Sequence, residues 1–199
     1  YFVAIGLKIV VEIPFSNLIS LSPIYLQALF YGSLTAIFEV GLAFLIPLAF
    51  QNYLKEYTKK KALSYGAMLA FWENGVFVGL IGIIQIGTLL ALQSYNPALV
   101  QQAIRAQPSL AYSTSQLLPL IGIGALERVS SFLAHTAWGS LGYYFLFSRS
   151  KKLLLIILLG YIDGLVPFID YDIIPLYLAE VIIFVVSLIA FIISYKKLP

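Results

Sequence analysis

The sequence predicts an all-α fold, a polytopic bundle of about six transmembrane helices forming a single integral membrane domain over residues 1–199. Three observations carry that expectation. Of the 199 residues, 61% are hydrophobic and only 11% charged, with a mean hydropathy of +0.94, where a soluble domain carries about 25% charged residues. The apolar residues fall into runs long enough to cross a bilayer core, which takes about 20 residues of helix. The basic residues sit in short clusters between those runs, as they do in the loops of membrane proteins.

The first run, residues 2–15, holds Lys8 and Glu12 four positions apart, a spacing that predicts an ion pair on one helical face. Pro14 and the stretch 17–23 are expected to close it. The second run covers 24–50, the third 62–92 and the fourth 116–147. The fifth covers 153–168 and the sixth 173–195. The longest of these predict tilt, or extension beyond the membrane surface. Between the third and fourth runs lies the most polar loop, 94–115, where a short interfacial helix near 98–106 is expected between Pro97 and Pro108. It reads as an external cap without a chemical role. No repeat of 20–50 residues and no inverted repeat is visible.

Orientation follows from the basic residues. Lys55, Lys59, Lys60, Lys61, Arg149, Lys151, Lys152, Lys196 and Lys197 fall on one side of a six-span threading, and only Arg105 falls on the other. This bias predicts a multi-pass protein of the cell membrane with both termini cytoplasmic. It also accounts for the pI near 9.0, so the lipid bilayer, and not nucleic acid, is the expected partner of the basic charge. The chain has no cysteine, which excludes disulfides, thiolate metal sites and a thiol nucleophile. It opens at Tyr1 without an initiator Met, as a processed or partial chain would, and shows no signal-peptide pattern.

Ionisable groups within the runs are the candidates for function, because a carboxylate at the bilayer centre costs at least about 2.5 kcal/mol. They are Glu39, Glu73, Glu127, Arg128, Asp163, Glu180 and the single histidine, His135. Counted along their helices, Glu73, Glu127 and Asp163 are expected in the middle third of the membrane. In the fourth run, ERVSSFLAH places Glu127, Ser131 and His135 at successive intervals of four, on one broad face. Ala134, Ala137, Gly139 and Gly142 beside them allow close helix contacts. In the third run, FWENG sets a potential base, Glu73, beside an amide, Asn74, that could donate to an oxyanion. Neighbours on an α-helix diverge by about 100°, so only one of the two is expected to face a site squarely. Glu12, Glu180 and Lys8, nearer the ends of their runs, read as structural or topological.

These residues, in this order, resemble the YhfC family of glutamic-type intramembrane peptidases, distant relatives of PrsW and the CAAX prenyl endopeptidases. Phe38-Glu39 is similar to that family's Phe-Glu-Glu segment, and Gly66 to Glu73 occupies the place of its glycine-rich run ending in Glu. Glu127-Arg128, six residues and then His135 reproduce its most specific motif, and Asp163 falls where the family has an Asp. The likeness covers roughly residues 30–168. The chain departs from the pattern in having Leu69 where the family has His, Met68, Ala70 and Phe71 for glycines, and Val40 for the second Glu. The resemblance implies an intramembrane peptidase with Glu73, Glu127 and His135 as catalytic residues and Glu39, Asn74, Arg128 and Asp163 in support. One histidine excludes a two-His metal site, so the version implied is metal-free and without a cofactor, acting on a membrane peptide. Two other readings stand beside it. One is a non-catalytic subunit of a larger membrane complex that keeps this fold. The other is a proton or cation transporter, which buried acids also fit.

Overall fold

In lipid no water is present to satisfy a backbone N–H or C=O, so an apolar chain is driven into helices that satisfy themselves. The computed structural model describes residues 2–106 and 112–199; it is 87% helical, with no strand among the described residues. Six helices are long and apolar enough to cross a membrane: Val3–Ser20, Ile24–Ala49, Lys59–Thr88, Ser115–Ser148, Lys151–Asp170 and Leu176–Lys197. The chain is therefore an integral membrane protein.

Pro14 does not close the first span, which continues to Ser20. A helix ended there would expose backbone groups to hydrocarbon, whereas the Ser16 and Ser20 hydroxyls return to the carbonyls of Ile13 and Asn17. The short helix in the polar loop runs Pro97–Ala106; Pro108, expected to bound it, lies outside the described residues.

The fourth span is the axis of the bundle, packing most extensively on the third and sixth and then on the second. The core consists of Val40, Ala43 and Phe44, with Leu69, Ala134, Ala137, Trp138 and Leu141. Small residues let these backbones meet. A Cβ added to Gly139 would stand 2.6 Å from Gly66 Cα, and one added to Gly160 would stand 2.5 Å from the Ala36 nitrogen. The second contact clamps the fifth span onto the second beside Glu39. The first span is different: Ala4 is the only described residue in it that is buried.

Among the described residues three segments depart from α-helical winding. Thr35–Gly41 and Trp72–Leu80 are π-helical, and Lys151–Leu165 is a 3₁₀ helix. At about 2 Å per residue the 3₁₀ segment reaches ~30 Å, and its side chains repeat every three residues. Leu155, Leu158 and Tyr161 face outward, while Leu153 and Leu159 are buried and Ile156 and Ile162 pack on the core.

The ends of the bundle are tied by contacts that fix its threading. At one end Arg149 donates to Gln51 (3.1 Å), Lys59 to the Leu198 carbonyl (3.0 Å) and Tyr143 to the Glu56 carbonyl (3.3 Å). The lysine-rich connections and the C-terminus thus gather together. At the opposite end Gln27 donates to the Ser22 carbonyl at 2.8 Å and to the Tyr171 hydroxyl at 3.3 Å.

Candidate functional site

The two π-helical turns carry the two carboxylates nearest His135. A π turn takes an extra residue per hydrogen-bonded ring, and such turns occur frequently at functional sites. Its wider turn also brings neighbouring side chains closer in direction than the ~100° of an α-helix. That is why Glu73 and Asn74 both reach the fourth span, where the sequence allowed only one of them. Glu73 Oε2 lies 2.6 Å from His135 Nε2 and accepts from Ser131 Oγ at 2.9 Å. Asn74 donates to the same hydroxyl at 3.2 Å and to the Ala70 carbonyl at 2.9 Å. Its Oδ1 accepts from Arg128 at 3.3 Å. Both amide protons of Asn74 are thus taken up, by the Ala70 carbonyl and by the Ser131 hydroxyl that faces Glu73.

His135 is 4% exposed and held from every side. Its Nδ1 meets the Ser131 carbonyl at 2.9 Å, and its ring packs edge-on against Trp138 with centroids 4.2 Å apart. Glu39 Oε2 stands 3.5 Å from Nε2, beyond Glu73. A carbonyl has no proton to give, so Nδ1 carries one. The proton between Nε2 and Glu73 is then shared by an imidazole and a carboxylate in a charge-assisted contact.

Lys8, read from sequence as the helical partner of Glu12, turns inward to the second and fifth spans. Its Nζ lies 2.7 Å from Glu39 Oε1, 2.8 Å from Thr35 Oγ1 and 3.1 Å from Asp163 Oδ2. Thr35 also donates to Asp163 at 2.5 Å. Buried acceptors on two other spans outcompete an i,i+4 partner on the membrane face, because their charge has no water to fall back on. Of the residues here, sequence reasoning missed Thr35, and it read Lys8 and Glu180 as structural or topological.

Glu127 and Arg128 pair with one another through Glu127 Oε1 and Arg128 Nη2, and their side chains are 48% and 32% exposed. At about 1.5 Å per residue from Ser148, His135 stands ~20 Å along the fourth span and Glu127 ~32 Å. Glu127 and His135 therefore lie ~12 Å apart along the axis, on either side of the midpoint of Ser115–Ser148 and both in its middle third. The structure brings Glu39, Glu73 and His135 into contact and ties Asp163 to them through Lys8. Glu127, paired with Arg128, is not part of that contact.

One cavity of about 160 Å³ receives Glu39, Glu73, Glu127, Asp163 and Glu180 from five different spans, with Thr35, Ser131 and His135 also in its wall. By liquid volume that is room for about five waters. One oxygen each of Glu39 and Glu73 and one His135 nitrogen lie within 4.8 Å of one another, a set that could hold a metal ion. The sequence argument excluded only a two-His site; this set has one His and two Glu. The Lys8 ammonium already occupies the Glu39 side of it.

The fold and cavity together define a class: an integral membrane protein with a water-sized, acid-rich site whose central base pair is Glu73 and His135. Compared with protein-family models, curated protein sequences and solved structures, the chain matches none.

Proposed function

We propose that the chain is a membrane-embedded hydrolase, a peptidase of the glutamic type, acting on a peptide segment that enters the bundle. The observation that carries this reading is the 2.6 Å contact between Glu73 and His135 on the wall of a cavity large enough for water. The YhfC resemblance implies catalytic roles for Glu73, Glu127 and His135, with Glu73 or Glu127 as the base. In the reaction, Glu73 takes a proton from a water whose oxygen attacks the scissile carbonyl. Once Glu73 is protonated it no longer holds the Nε2 proton of His135, which turns to the oxyanion that forms. The C–N bond then breaks, and the proton held by Glu73 passes to the leaving amine. Glu39 and Lys8 hold the charge of His135 and Asp163 in place, and Ser131 with Asn74 orients Glu73. In the same reading the lysine-rich end faces the cytoplasm of the cell, with both termini there.

Glu73→Gln tests this. It keeps shape and most hydrogen bonds but removes the base, so cleavage of a panel of membrane peptides is expected to fall by about 10² or more while thermal stability is kept. Chelators are expected to leave the rate unchanged. Loss of activity in EDTA, restored by a divalent ion, would reassign Glu39, Glu73 and His135 as metal ligands. No cleavage by the unmutated protein among its natural membrane neighbours would favour a non-catalytic subunit. A second reading, proton or cation transport, draws on the acids that five spans bring to one cavity; proton uptake by proteoliposomes that is lost in Glu39→Gln would favour it.

A further inference from the structure

Of the five carboxylates that line the cavity, four are matched to cations. Glu39 and Asp163 share Lys8, Glu73 contacts His135, and Glu127 pairs with Arg128. Glu180 makes no ion-pair contact among the described residues; Arg128 is near enough for its charge to be felt there, but that charge is already paired with Glu127. It is 6% exposed, and its Oε2 has no hydrogen-bond partner among them. Ser187, seven residues on and so on the same face of the sixth span, is fully buried with its Oγ equally unpartnered. Both line the cavity, as do the apolar side chains of Ile183 and Ile169.

A buried carboxylate oxygen left without a partner is costly, and native structures seldom leave such groups unsatisfied. The ionised carboxylate is an acceptor only, so what it lacks is a donor, and in an acid-rich cavity a positively charged one. We propose that Glu180 forms a subsite for an ammonium or guanidinium group carried by the ligand, with Ser187 lining the cavity ~10 Å further along the same helix. For the peptidase this is a Lys or Arg side chain of the peptide; the same chemistry is offered by an ethanolamine lipid headgroup. Glu180 stands about 6 Å from the start of its helix at Leu176. A basic group entering from the end opposite the lysine-rich loops therefore meets it before reaching Glu73. The inference rests on the hydrolase reading for the identity of the ligand, and not for the subsite itself.

Binding separates the two. In phosphatidylcholine nanodiscs, the Glu73→Gln protein is titrated with two capped hydrophobic peptides that differ only in one Lys or norleucine, followed by tryptophan fluorescence, since Trp138 lines the cavity. The Lys peptide is expected to bind at least about tenfold more tightly. The preference is expected to vanish in Glu180→Gln and to be kept in Ser187→Ala, which changes the cavity wall away from the carboxylate. Repetition in discs containing phosphatidylethanolamine distinguishes the sources: if the headgroup competes away the preference, the subsite stands and the lipid is its occupant. Equal binding of the two peptides, or a preference retained in folded Glu180→Gln, overturns the proposal. A Lys preference without any hydrolysis by the unmutated protein would keep the subsite and remove the peptidase; hydrolysis without the preference would do the reverse.

Discussion

Removing the Lys8 ammonium is the sharpest perturbation of the buried network. Lys8→Met keeps most of the side-chain volume and deletes contacts at 2.7, 2.8 and 3.1 Å to Glu39, Thr35 and Asp163. Breaking a buried pair from one side costs about 3–5 kcal/mol, because the remaining charge is left uncompensated. Here Glu39 is 6% exposed but the Asp163 side chain is 40% exposed, so the lower end of that range applies, about 3 kcal/mol. For a chain of this size that is roughly 6–12 °C of Tm, measurable by thermal unfolding in detergent. Most of the loss belongs to stranded Glu39, so Lys8→Met combined with Glu39→Gln is expected to recover at least about half of it; Asp163 keeps its bond from Thr35. The first span, which buries little else, is expected to become protease-sensitive in the single variant. A Lys8→Met protein with unchanged Tm, or a double variant whose losses simply add, would refute the pairing.

Other changes test other parts of the structure. Gly160→Val drives side-chain atoms into the Ala36 backbone, which cannot yield as a flexible side chain would, and is expected to cost about 1–3 kcal/mol in the same unfolding assay. Glu127→Gln, at a half-exposed pair of neighbours, is expected to change stability by no more than about 1 kcal/mol; a large loss would place Glu127 in the buried network. Cysteines introduced at Lys60 and Gln102 are expected to label from opposite membrane faces with an impermeant reagent, and labelling from one face would overturn the threading.

Run length and missing charge made the helical membrane fold legible, because both follow directly from what a bilayer demands of a chain. The winding of the helices was not legible. In a span such as LLLIILLG both lipid-facing and core-facing positions are apolar, so no alternation reports whether the period is 3.0, 3.6 or longer. The candidate site was readable as a set of charges too costly to leave in lipid, which picked out Glu39, Glu73, His135 and Asp163. Their pairing was not readable, since Lys8 finds Asp163 across 155 positions of sequence and nothing local to Lys8 announces it. Glu180 was discounted for lying near the start of its span. Position along a helix does not say whether a side chain faces lipid or a cavity.

The 3₁₀ winding of the fifth span makes bilayer thickness a mechanical variable for the site. Rewound as an α-helix throughout, the fifth span Lys151–Asp170 would shorten from ~38 Å to ~30 Å, the thickness of an average hydrocarbon core. The span is flanked by Lys151 and Lys152 on one side and by Tyr171 against Gln27 on the other. Its winding therefore sets its reach between those points, with Asp163 borne on it. A thinner membrane favours the shorter winding. Any contraction then draws Asp163 along and around the helix axis relative to Thr35 and Lys8, which are fixed on other spans.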